Sequence, residues 1–169
     1  LLKCSEETYD EIMDTNLKST FFLIKQAVPH LEKSKGNIVN ISSLASLVMF
    51  PGGIVYALSK VALDYLTRSL AFDLGPKGIR VNSVNTSYIR TRILRHHGEN
   101  VDQANATLTK FELSKQLLHL NDRVLTFEDV TAAVTFLASD AAGFINGEIV
   151  KVDGGRHLAG PASKRYAKL

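Results

Sequence analysis

Hydrophobic positions along this chain switch between a helical period and short apolar runs, and the switches mark its elements. Ile12, Leu17, Phe21, Ile24 and Val28 recur near helical spacing, which predicts a helix over residues 6–33. Ser5 suits its N-cap, and Glu6, Glu7 and Asp10 suit the positive end of its dipole. Pro29 is expected to distort the last turn, and Lys33-Ser34-Lys35-Gly36 reads as a turn. Residues 37–41 are apolar and β-rich, as a buried parallel strand is. A loop follows over 42–53, ending in Pro51-Gly52-Gly53. The helical period returns over 55–74 and stops at Gly75-Pro76. Residues 79–84 form the next expected strand, 85–100 are irregular, and 101–120 are helical in part. Thr126 and Asp129 have the spacing of a capping box opening a helix through Leu137. Residues 148–152 read as a last strand, before Asp153-Gly154-Gly155.

Helices that alternate with short apolar strands imply βα units: an α/β fold whose parallel sheet is covered on both faces. Ligands of such sheets bind beyond the carboxyl ends of the strands. Ser42 and Ser43 follow one predicted strand, and Asn85–Thr91 follow the next. Both segments are therefore expected at one edge of the sheet. No internal repeat or low-complexity segment interrupts the pattern.

Composition changes this picture little. A chain of 169 residues, 45% hydrophobic and 22% charged, suits a single globular domain with a core. Its one cysteine, Cys4, excludes an internal disulfide scaffold. The formal charge of +3 comes from interleaved acidic and basic residues, so nucleic-acid binding has no supporting constellation. No apolar run is long enough to span a bilayer. The chain opens without an initiator Met or a signal-peptide pattern, as a fragment or a processed product does.

The candidate chemistry lies in the middle. Tyr56 and Lys60 stand four apart at the start of a predicted helix and share a face. A phenol titrates near 10 in its ordinary state, too high for a base near neutrality. A neighbouring ammonium is expected to lower that value, so that Tyr56 exchanges a proton with an alcohol or carbonyl oxygen. Ser43 could hold the same oxygen. Taken alone, a Tyr-x-x-x-Lys pair is as readily a feature of any surface helix.

The segment GNIVNISSLASLVMFPGGIVYALSK resembles the active-site segment of the short-chain dehydrogenase/reductase family. A strand ends in Ser-Ser, and Tyr56 stands thirteen positions after Ser43. Asn16, 27 residues before Ser43, matches the family's helix asparagine. The resemblance continues through GPKGIRVNSVNTSYIRT and DVTAAVTFLASDAAGFINGEIVKVDGG, and covers about residues 6–155. It implies a partial Rossmann-like fold in one domain over 1–169, incomplete beside the family, with 156–169 a polar tail. It also implies an NAD- or NADP-dependent oxidoreductase that interconverts an alcohol and a carbonyl. Tyr56 would be the general acid/base and Ser43 the substrate-oxygen anchor. Lys60 would bind the nicotinamide ribose and lower the Tyr56 pKa. The Asn16 carbonyl would organise a proton relay to the lysine. Ile89, by its backbone, and Thr91 would hold the carboxamide. Thr86 and Ser87 stand where the family has Pro-Gly, and serine does not share glycine's backbone freedom.

The family's glycine-rich cofactor turn, TGxxxGxG, does not occur in the sequence. The chain matches the family from just before the helix that holds Asn16. Two readings follow: a part of a longer oxidoreductase, or a truncated, non-catalytic member acting as an interaction or structural protein. Enoyl reductases are a further alternative, but related members use another Tyr-to-Lys spacing. Family members commonly form homodimers or homotetramers, and Phe21, Phe22, Leu66, Leu70 and Phe72 could supply the apolar surface or face the sheet. Arg90, Arg92, Arg95, His96 and His97 form a basic cluster in the segment resembling the substrate lid, read first as a solvated loop; its histidines show no third metal ligand. Ala167-Lys168-Leu169 resembles a peroxisomal address, with the cytosol as the other expected location.

Overall fold

The computed structural model describes residues 4–50, 52–91, 100–118 and 123–159. Arg92, Arg95, His96, His97, Pro51 and the tail with Ala167-Lys168-Leu169 lie outside the described residues. The element order is α1 (Glu6–Met13), a π-helical turn (Asp14–Lys18), α2 (Ser19–Ser34), β1 (Asn37–Ser43), α3 (Ile54–Leu74), β2 (Arg80–Thr86), α4 (Val101–Leu113), α5 (Phe127–Ala138) and β3 (Ile149–Val152). The described strands form one parallel sheet in the order β1-β2-β3.

The first helix is not continuous. Ser5 caps it as its sequence predicts, accepting from the Thr8 amide at 3.2 Å. Five residues then adopt π geometry between Asp14 and Lys18. The sequence pattern placed the irregularity at Pro29, yet α2 runs past Pro29 to Ser34. A π turn carries one residue more than an α turn, so a window of apolar spacing hardly registers it. Lys35 ends α2 in the left-handed region at φ 52°, and its ammonium donates to the Lys77 carbonyl at 3.0 Å.

The sheet is covered on both faces. Ala71, Leu74, Ile79 and Val81 form one core cluster, with Val28, Leu31, Ile38 and Leu70 against it. On the other face Val84, Leu137 and Ala142 pack with Val39, Val130, Val134, Val150 and Val152. Leu70 thus faces the core, whereas Phe21, Phe22 and Phe72 stay exposed. Arg80 ties the layers together, donating to the carbonyls of Leu137 and Ser139. Thr126 and Asp129 make the expected capping box, with the Thr126 amide 2.9 Å from Asp129 Oδ2.

Two strands run longer than their apolar cores. β1 continues through Ser42 and Ser43, and β2 through Asn85 and Thr86. These polar residues pair in register, Ser42 with Asn85 and Ser43 with Thr86. Hydrophobicity ends before the ladder does, because the last rungs carry polar side chains that find partners across the sheet edge. The expected helix over 101–120 is shorter, ending at Leu113. Arg156, assigned by sequence to a polar tail, packs instead against α4: its side chain is 11% exposed, beside Glu112 and the Phe111 ring.

Candidate active site

Parallel pairing brings the ends of β1 and β2 to one level, so Ser43 and the Ser87–Thr91 segment leave the sheet at the same edge. Ser43 is half-buried and ends β1 extended, at φ −151° and ψ 152°. Its hydroxyl accepts from the Ala45 amide at 3.1 Å, which caps the short turn Leu44–Ser46. Ser42 has a different task. Its side chain is buried, and its hydroxyl donates to the Lys60 carbonyl at 3.3 Å, tying α3 to β1. The two adjacent serines are therefore distinguished by structure, and Ser43 is the one beside Tyr56.

Tyr56 lies in the first turn of α3, with Lys60 one turn on. The Lys60 ammonium sits 5.7 Å from the Tyr56 ring centroid and donates to the Ile41 carbonyl at 3.1 Å. Burial pushes the Tyr56 phenol above its ordinary value, and the Ser43 side chain pulls it partly back. Burial pulls the Lys60 ammonium below its ordinary value, opposed by the Asp64 carboxylate. Here the sequence-based expectation of a lowered phenol is corrected. Desolvation disfavours phenolate and ammonium alike, and Ser43, not Lys60, supplies the lowering influence on Tyr56.

Asn16 lies inside the π turn. Its side-chain amide donates to the Ser59 hydroxyl at 3.0 Å, next to Lys60, while its carbonyl accepts from the Thr20 hydroxyl at 3.3 Å. Asn16 thus reaches the Tyr56–Lys60 helix through its side chain.

The Ser87–Thr91 segment is tied at several points. The Ser87 amide donates to the Val152 carbonyl at 3.3 Å. The Tyr88 hydroxyl bonds the Asn105 side chain of α4, and the Asn105 amide donates to the Thr91 carbonyl at 3.3 Å. Ile89 and Thr91 are half-buried. Among the described residues Lys35 is the non-glycine residue with positive φ. Ser87 therefore needs no conformation that glycine would favour, and the Thr86-Ser87 replacement imposes no such strain.

Sequence reading missed Asp64, Asn85 and Asn105. Asp64 was findable: it extends the Tyr56–Lys60 spacing by another four residues on the same helix. Asn85 and Asn105 gave no such signal, because their importance lies in contacts between distant segments.

A parallel sheet between two helical layers, with its polar groups gathered past the strand ends, defines an α/β protein of the Rossmann-like class. The family model described as enoyl-(acyl carrier protein) reductase matches residues 1–157. An uncharacterised oxidoreductase of Thermotoga maritima is 38% identical over 152 residues, 89% of this chain and 59% of that protein. The 3-oxoacyl-[acyl-carrier-protein] reductase of Rickettsia felis is 33% identical, over 91% of this chain and 60% of its own length. A short-chain dehydrogenase/reductase of unknown function from Caenorhabditis elegans, solved with cofactor, superimposes with a TM-score of 0.85 at 32% identity, over 95% of this chain and 59% of that one. 4-Hydroxyisoleucine dehydrogenase complexed with NADH gives 0.80 at 31% identity, over 95% and 64%. The chain belongs to the short-chain dehydrogenase/reductase family. It spans about 60% of the length of the curated relatives it matches.

Proposed function

We propose that this chain carries the proton-transfer machinery of an NAD(P)-dependent oxidoreductase that interconverts an alcohol and a ketone or aldehyde. The observation that carries the reading is the gathering of Ser43, Tyr56 and Lys60 at the carboxyl edge of the sheet, with the Lys60 ammonium 5.7 Å from the Tyr56 ring. The residues fit the nicotinamide-ribose end of the cofactor. Lys60 uses one N–H on Ile41, which leaves two donors for ribose hydroxyls. Tyr56, Ile89 and Thr91 complete the set that would hold that end. When bound, the cofactor supplies the hydride exchanged with the substrate carbon.

The protein's part is proton transfer and position. In reduction, Tyr56 gives its proton to the carbonyl oxygen, and the Ser43 hydroxyl holds that oxygen. In oxidation, Tyr56 takes the proton back. Burial keeps the Tyr56 phenol protonated but makes it a weaker acid, and closer approach of the ammonium would favour the phenolate that remains once the proton is given. Asn16 fixes the helix beside Lys60 and serves a proton relay. The substrate is a small alcohol or carbonyl compound.

Leu58, Val61, Tyr65 and Phe72 form an exposed stripe along α3, at helical spacing. The stripe supports a homodimer or homotetramer built on α3. The cytosol and the peroxisome remain the two locations under this reading.

The test starts with calorimetric titration of NADH and NADPH into the folded protein. Cofactor oxidation is then followed with a panel of ketones and aldehydes, with an enoyl thioester as the counter-substrate. Binding of one cofactor and turnover of a carbonyl support the reading. A folded protein that binds neither overturns it for this chain and favours a structural or interaction role.

A further inference from the structure

Asp64 is 5% exposed, yet among the described residues no ion pair joins it to a cation. Its Oδ2 accepts from Asn85 Nδ2 at 2.7 Å, and its Oδ1 is buried without a partner. A buried carboxylate in this condition is costly and calls for an explanation. Its neighbours supply one.

Asn85 is fully buried in β2. The Ser83 hydroxyl donates to its Oδ1 at 3.0 Å. Its Nδ2 faces Asp64, the Ser46 hydroxyl at 2.9 Å and the Ser43 carbonyl at 3.3 Å. An ionised carboxylate only accepts hydrogen bonds, so Asp64 admits only one orientation of the Asn85 amide. With the amide so fixed, Asn85 holds both the backbone of Ser43 and the turn that follows it. Asp64 is also one helical turn beyond Lys60 on α3, where a negative charge favours the ammonium.

We propose that Asp64 is a positioning residue of the site: its buried carboxylate orients Asn85, which anchors Ser43, and stands as the counter-charge of Lys60. The proposal rests on the reading that Ser43, Tyr56 and Lys60 perform proton transfer. Around Lys60, Tyr56 and Asp64 are the titratable groups on its own helix. The side chains that hydrogen-bond this stretch of α3 from β1, β2 and the π turn are Asn40, Ser42, Asn85 and Asn16, all uncharged. The π turn and α1, which also pack against α3, carry Asp14, Lys18, Glu6, Glu7, Asp10 and Glu11; Asp64 is the charge that opposes burial at Lys60.

The test is an NMR titration of Lys60 in protein labelled with 13C-lysine, the resonance assigned through Lys60→Arg. Asp64→Asn keeps the shape and removes the charge. Its Lys60 pKa is expected to fall further, and the alkaline limb of the turnover profile to move to lower pH with it. Asp64→Glu keeps the charge and displaces the oxygens. Its Lys60 titration should stay near that of the parent, while the Asn85 side-chain amide resonance moves. A Lys60 titration unchanged in Asp64→Asn overturns the proposal. Should Asp64→Asn not fold, an unmoved Asn85 amide in Asp64→Glu overturns it as well. Tyr56→Phe separates the two readings: if turnover survives that change, the proton-transfer reading itself fails, whatever Lys60 does.

Discussion

At the scale of single residues, burial sets the chemistry more than pairing does. Tyr56 keeps its proton to higher pH than an exposed tyrosine, because water is withdrawn from the phenolate. A late component of the tyrosinate absorbance is therefore expected in alkaline titration, and it should shrink in Tyr56→Phe to the part left by Tyr88, whose phenol burial also raises. The same substitution is expected to lower turnover at least about 100-fold, the usual scale of a lost general acid, while calorimetry still detects the cofactor. Ser43→Ala should cost less turnover and leave the capping bond to Ala45 unmade. The spacing of four put Tyr56 and Lys60 on one helix face, and the resemblance of the surrounding segment joined Ser43 to them. The direction of the Tyr56 shift was not legible in the sequence, since it depends on how much chain lies over the ring. Asp64 was overlooked although it shares the Tyr56–Lys60 face: a lone acid on a helix reads as solvated until its burial is seen.

Among the elements, caps and polar strand ends do what periodicity alone does not reveal. The α5 capping box binds Asp129 to the Thr126 amide and to Arg123, and the carboxyl is held well below its usual range, with the Arg123 hydrogen bond the largest cause. A group depressed in the folded state adds stability above its unfolded pKa of about 3.9, and that stability is lost as pH falls through the lower folded value. Asp129→Asn should thus lower stability at neutral pH and converge with the parent protein in acid, as read by urea unfolding across pH. Thr126→Ala is expected to cost about 1 kcal/mol by the loss of its cap. The box was readable from two residues three apart. The extension of β1 and β2 into polar rungs was not, because its support comes from hydrogen bonds such as Ser42 to the Lys60 carbonyl and Asn85 to Asp64, which join segments far apart in sequence.

Across the whole molecule, two apolar clusters clamp a sheet whose polar side chains gather at its carboxyl edge. Leu137 is fully buried on the α5 side, so Leu137→Ala is expected to destabilise by about 2–5 kcal/mol, measured by denaturant unfolding. Tyr65 is 69% exposed in the α3 stripe, and Tyr65→Glu should shift an associated protein toward monomer in sedimentation while leaving its circular dichroism intact. The α/β layering was legible because both apolar clusters are written into alternating strands and amphipathic helices. The tie between Arg156 and Glu112 was not, as a cation near a chain end gives no sign of what it will meet. The π turn, finally, takes up one residue more than an α turn, so the faces of α1 and α2 keep their phase across it. Deleting one residue between Asp14 and Lys18 would close the turn to α geometry and leave those faces in place. What would be lost is the seat of Asn16, whose side chain meets Ser59 and whose carbonyl meets Thr20 from within the wider turn.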